Sequence, residues 1–227
     1  MGFLGILMLQ THFPRPPGDI GHPASWRMPV RYVVVDGATP QRVVREQAVG
    51  LLRPFIAAAR GLVDEGAAAI ITSCGFLSLF QRELSAALPV PVWSSALLKL
   101  PELAAQCAQA QPGTHPGVIS ADAASLSVDH LRAAGAAPDT PVEGLAAEGH
   151  LQRVLLEDRP ELDAHLACQD VVAAARRLQQ RCPALGSLVF ECTNLPPYAD
   201  AVRRATGLPV HDITTFIHER WRALAIA

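Results

Sequence analysis

The sequence predicts an α/β protein made of two similar halves, each built on a parallel sheet, and three observations carry that prediction. Short apolar runs rich in β-branched residues alternate with helical patterns, the β-α-β rhythm of parallel strands joined by right-handed crossovers. The stretch Ile70-Ile71-Thr72-Ser73-Cys74-Gly75-Phe76 has an echo in Leu188-Val189-Phe190-Glu191-Cys192-Thr193-Asn194. In both, a strand runs into a cysteine and then into a helical pattern. The two cysteines lie 118 residues apart, and the same offset places Leu84 on Val202, Pro91 on Pro209 and Val92 on Val210. If such halves face one another, two thiols meet across a cleft.

A chain of 227 residues with 50% apolar content can bury the core of one large domain or of two small lobes. The net charge of −2 gives no electrostatic case for nucleic acid or an anionic membrane, so a small molecule is the expected partner. The apolar run 3–9 has no basic residue before it and is far too short for a bilayer. It is expected to be a buried first strand. Five cysteines without a disulfide or metal spacing suit a reducing cytoplasm.

Taken in order, residues 5–9 form the first strand. A loop rich in proline and glycine follows over 11–23, and a long loop leaving the C-terminal end of a strand is a functional candidate. Arg15 and Asp19 are its candidate substrate-facing charges, with a solvated loop residue as the equal alternative for either. Residues 31–36 are the second strand, 46–64 a helix, 70–74 the strand carrying Cys74, 77–87 a helix and 90–93 a strand. The second half repeats this with a helix at 98–109, a strand at 116–120, a helix at 123–134 and a strand at 141–145. Residues 149–160 read as irregular. A long helix at 162–182 leads to the strand ending at Cys192. A helix at 195–206, a strand at 210–213 and a closing helix capped by Thr214 complete the chain.

In parallel sheets ligands bind beyond the carboxyl ends of the strands, where Cys74, Cys192, Ser94 and Asp212 all fall. Cys107, Cys168 and Cys182 lie on apolar helix faces and read as small hydrophobes. Cys74 and Cys192 each precede a helix, whose free N–H groups would lower the thiol pKa and bind a nearby carboxylate. No C-x-x-C, H-x-x-x-H, G-x-S-x-G, G-x-G-x-x-G or Walker pattern occurs, so neither a metal nor another cofactor is expected. Two opposed thiols can invert a carbon centre, one removing a proton as thiolate and the other returning one from the opposite face.

Thr72-Ser73-Cys74-Gly75 and Glu191-Cys192-Thr193-Asn194, in two α/β halves, resemble the aspartate/glutamate racemase superfamily. That superfamily includes cofactor-independent amino-acid racemases, hydantoin racemases, maleate isomerases and arylmalonate decarboxylases. The resemblance implies two pseudo-symmetric flavodoxin-like lobes with the active site between them, residues 1–95 plus 208–227 forming one and 96–207 the other. It implies catalytic Cys74 and Cys192, Thr193 on the substrate carboxylate, and a homodimer as one assembly. Thr11, Ser73, Gly75, Phe76 and Asn194 complete the expected substrate contacts, with Asp19, His211 and Asp212 in second rank.

The sequence departs from glutamate racemases around both thiols. Gly75-Phe76 stands where they have Asn-Thr, Thr193-Asn194 where they have Thr-His, and Gln10-Thr11 where they have Asp-Ser. The expected activity is racemisation or epimerisation of a small carboxylate, an amino acid or a related compound. A cis–trans isomerase, a decarboxylase and a non-catalytic binder are the alternatives.

Overall fold

The computed structural model describes residues 2–226. Strands β1 (Phe3–Met8), β2 (Val30–Val34), β3 (Ala67–Thr72) and β4 (Val92–Trp93) form one sheet in the order β2-β1-β3-β4. Strands β5 (His115–Ser120), β6 (Val142–Gly144), β7 (Leu185–Phe190) and β8 (Val210–His211) form a second in the order β6-β5-β7-β8. Every pairing is parallel. The central strands β1, β3, β5 and β7 are buried along almost their whole length, as sheets covered on both faces require.

The duplication is geometric as well as sequential. The third and fourth strands of the halves match at an offset of 118 (67 to 185, 92 to 210), the first and second at 112 (3 to 115, 30 to 142). Even an irregularity repeats, since the register shifts between Phe3 and Leu4 against β3 and between His115 and Pro116 against β7.

Helix α1 (Leu52–Asp64) starts six residues later than its periodicity suggests. Gln47, Ala48 and Gly50 have φ values of 53°, 55° and 79°, a left-handed stretch that no helix continues through. Beyond Cys74 a 3-10 turn (Gly75–Phe80) precedes α2 (Gln81–Ala87), and α3 (Leu100–Ala110) and α4 (Val128–Ala133) follow. The stretch expected to be irregular contains α5 (His150–Leu156), which buries Leu151, Val154 and Leu155. Then come α6 (Ala164–Arg181), α7 (Ala199–Thr206) and α8 (Ile213–Ile226).

The lobe boundary at 208 needs correction. β8 pairs with β7, Leu188 opposite Val210, so it stays with the second sheet. Only α8 crosses back, placing Ile213, Phe216 and Ile217 in the core around the first sheet. α3 makes the reciprocal crossing and packs on β5 and β7. Val118, Leu131 and Val189 of the second half join the first core, so the halves are fused through shared apolar packing. Among the described residues no helix is long and apolar enough to cross a membrane.

Candidate active site

The two strand ends that carry the thiols are built alike. Cys74 and Cys192 each lie two residues beyond a central strand. Each carbonyl accepts a turn bond from the N–H three residues on, Leu77 to Cys74 at 3.1 Å and Leu195 to Cys192 at 3.2 Å. Around Cys74, the Thr72 hydroxyl is within bonding distance of the carbonyls of Ser94 (2.6 Å) and Cys74 (3.0 Å), and Ser73 Oγ accepts from Leu9 N–H at 2.8 Å. The halves are stitched where the thiols meet, because Thr193 Oγ1 donates to the Ser73 carbonyl at 2.6 Å. That hydroxyl proton therefore joins the lobes and is not held free for a substrate carboxylate.

Between the turns lies a cavity with about 400 Å³ of empty space, its open mouth included. Both thiols line it, with Thr11, Ser73, Phe76, Thr193 and Asn194 of the candidate substrate contacts and with Arg15 and Glu191. Leu9, Phe13, Val44, Leu155 and Leu156 make the remaining wall largely apolar. Gly75 stands behind this lining. A Cβ there would come within 2.3 Å of the Glu191 carbonyl oxygen and 2.4 Å of its Oε1, so only glycine lets the two turns approach.

The electrostatics reverse one expectation. Burial pushes both thiols well above their ordinary range, and the Glu191 carboxyl adds to the rise. The helix-end effect is weak, because a short 3-10 turn follows Cys74, and only the Phe76 N–H and Arg15 favour its thiolate. Cys192 is helped by the Asn194 N–H but opposed by Cys74 and Asp19 as well as by Glu191. Its Sγ–H lies 3.5 Å from Asn194 Oδ1. Both thiols are therefore held protonated in the empty site.

Glu191 is the residue the sequence reading passed over. It is fully buried, accepts from Ser120 Oγ at 2.8 Å through Oε2, and leaves Oε1 without a hydrogen-bond partner among the described residues. Burial raises its pKa to about 8, opposed by the Ser120 bond, reinforced by Asp122 and opposed again by the Phe76 N–H, which lies near the carboxyl but outside hydrogen-bond geometry. The signal was present in the sequence: an acidic residue directly after an apolar strand is one that cannot easily avoid burial.

The loop after β1 folds over the cavity. Arg15 donates to Asp19 Oδ1 and to Thr11 Oγ1, both at 2.8 Å, and its guanidinium sits 4.6 Å from the Phe13 ring centroid. Asp19 is buried, and its Oδ2 accepts from Asn194 Nδ2 at 2.6 Å, so it organises the site from behind the lining. Asp158, just after α5, clasps the loop by accepting from the N–H groups of His12 (2.6 Å) and Phe13 (3.1 Å).

The other two candidates lie elsewhere. Asp212, and not Thr214, caps α8, accepting from Thr215 N–H at 2.8 Å. His211 borders a separate groove with Gly186 and Leu208. Strand-end position alone suggested both, but β8 is the outer strand of its sheet and neither residue lines the cavity.

No family model matches the chain. Among solved structures it resembles a sulfate-bound variant of arylmalonate decarboxylase, with a TM-score of 0.63 at 14% identity over 98% of this chain and 93% of that one. It also resembles a glutamate racemase isoform from Bacillus anthracis, with a TM-score of 0.57 at 15% identity over 94% of this chain and 77% of that one. These likenesses concern the fold. In sequence, the chain is 32% identical over 218 residues to a dimethylsulfoniopropionate lyase of Durusdinium sp. clade D, covering 92% of this chain and 70% of that protein. It is 33% identical over 222 residues to dimethylsulfoniopropionate lyase 6 of Emiliania huxleyi, covering 93% of this chain but 57% of the relative. The chain shares the fold of these decarboxylase and racemase structures, and by sequence it belongs to the same family as the dimethylsulfoniopropionate lyases.

Proposed function

We propose that this chain is a lyase that cleaves dimethylsulfoniopropionate, or a close β-sulfonium carboxylate, by elimination. The observation that carries the reading is a cavity holding two thiols, one arginine and one buried carboxyl, in a chain whose relatives are lyases of that name. The chain spans 57% of the length of one such relative and 70% of another, so the activity is a proposal for this chain.

The chemistry needs one base and a place for each end of the substrate. A thiolate removes a proton from the carbon next to the carboxylate, and that C–H electron pair becomes the new carbon–carbon double bond. The bond from the β-carbon to sulfur breaks, its electron pair leaves with sulfur, and dimethyl sulfide and acrylate result with the proton on the thiol. Cys74 is the base in this reading, because the Arg15 guanidinium favours its thiolate whereas the Asp19 carboxylate opposes that of Cys192. Arg15 has five N–H donors, and those not given to Asp19 and Thr11 suit the substrate carboxylate. A positively charged sulfonium in this apolar cavity also offsets the cost of ionising a buried thiol.

A two-base racemase is the second reading, favoured by the retention of both thiols at equivalent strand ends. Incubation with dimethylsulfoniopropionate separates the two. The lyase forms dimethyl sulfide and acrylate in equal amounts. A racemase leaves that compound intact and instead moves solvent deuterium into the α-position of a chiral carboxylate. Absence of dimethyl sulfide together with such exchange would replace the first reading by the second.

A further inference from the structure

Glu191 lines the cavity and keeps one unused acceptor, an oxygen closed to solvent beside Gly75. Oε2 takes the Ser120 hydroxyl, while Oε1 has no partner among the described residues although the side chain is fully buried. Arg15, the guanidinium in the lining, pairs with Asp19 at 2.8 Å, and Arg45 lies 3.9 Å from Asp122. Space is kept for the carboxyl, since Gly75 gives up the Cβ that would lie 2.4 Å from Oε1. The nearby walls of Phe76, Phe13, Leu9 and Val44 offer rings and alkyl groups. Such surfaces suit a cation whose charge is spread over methyl groups and which has no N–H to donate.

We propose that Glu191 is the seat for the positive end of the substrate, its free Oε1 selecting an onium carboxylate over the uncharged isostere. The identity of that cation as a sulfonium rests on the lyase reading; the cation seat rests on the cavity itself. A cation beside Oε1 stabilises the carboxylate, so binding drives off the carboxyl proton below about pH 8, where the empty site keeps it. The groups around Glu191 are Ser120 and Asp122 from the end of β5, the Phe76 N–H and Cys74 from the first turn, and Cys192 beside it. Arg15 and Asp19 approach the thiols from the loop, and His130 lies across the Phe76 ring. Both thiols are pushed far above this range and His130 is pushed below its ordinary value, so Glu191 supplies the step near pH 8.

The test is calorimetric titration of the full chain with 3-(trimethylammonio)propionate and with 4,4-dimethylpentanoate, its uncharged carbon isostere. The wild type is expected to bind the cation at least about tenfold more tightly than the isostere above pH 8. That preference should rise with pH, by up to about tenfold per pH unit, until about pH 8 and level off there, one proton being released on binding. Glu191→Gln keeps the shape and the Ser120 contact, and should bring the two ligands to equal affinity at every pH. Ser120→Ala removes a donor to the carboxylate and should move the rise to higher pH, a shift that a merely structural Glu191 would not give. Equal preference in wild type and Glu191→Gln, or an unmoved rise in Ser120→Ala, overturns the proposal. A chain that keeps the cation preference but releases no dimethyl sulfide overturns the lyase reading instead.

Discussion

Asn194 Nδ2 donates to Asp19 Oδ2 at 2.6 Å, tying the residue two places after the second thiol to the loop that leaves the first strand. The same carboxylate holds Arg15 at 2.8 Å and the Gly21 N–H at 2.7 Å, and Asp19 is only 1% exposed. One buried carboxylate therefore fixes both the lining arginine and the turn after Cys192. Asp19→Ala leaves Arg15 without its partner and is expected to destabilise the fold by about 3 kcal/mol. Asn194→Ala removes one charged hydrogen bond and is expected to cost about 2 kcal/mol. Urea denaturation followed by circular dichroism checks both, and an Asp19→Ala midpoint equal to wild type would contradict this role.

Gly75 and Gly61 should respond oppositely to alanine. A Cβ at Gly75 meets the Glu191 backbone at 2.3 Å, so Gly75→Ala must separate the turns, with an overpacking cost of about 2 kcal/mol and loss of turnover. Gly61 lies exposed in α1 with nothing within 4 Å of its added Cβ, and Gly61→Ala should stabilise by about 1 kcal/mol with turnover unchanged. Thermal melts and activity on the two variants read this contrast.

The clasp at Asp158 should be sensitive to acid. Burial raises this carboxyl, but the His12 N–H and ring and the Phe13 N–H outweigh it, so the folded pKa falls below the ordinary 3.8. A depressed folded pKa gives stability that is present above 3.8 and is lost as pH falls through the folded value. Asp158 has a φ of 53°, a conformation asparagine tolerates, so Asp158→Asn tests the charge without backbone strain. Amide exchange of His12 and Phe13 at pH 7 should quicken by about tenfold or more in that variant, the equivalent of about 1.4 kcal/mol. The loss of loop protection that the wild type is expected to undergo as pH falls below 3.8 should then be absent.

How far the sequence reaches is clear from these elements. The pairing of Cys74 with Cys192 follows from the 118-residue offset, because a duplicated sheet must place equivalent strand ends alike. The left-handed run at Gln47 and Ala48 escapes a periodicity argument, since both residues are ordinary helix formers and tertiary packing sets their φ. Helix α5 has its apolar face in only Leu151, Val154 and Leu155, too short a pattern to stand out between a glycine and a charged turn. The direction of the thiol shifts is a property of burial from both halves together, which no local motif encodes. Glu191 was legible as an oddity, but its lone Oε1 becomes visible only when Gly75 is brought against it.

The central claim is that one thiolate in the shared cavity drives elimination, and headspace measurement of dimethyl sulfide from dimethylsulfoniopropionate tests it most directly. Wild type should release dimethyl sulfide in step with acrylate. Cys74→Ser should lower the rate by at least about 100-fold, the least expected for loss of a positioned base. Cys168→Ser, half-buried on α6 against the second core and outside the cavity, should leave it unchanged. Undiminished release from Cys74→Ser would contradict the account.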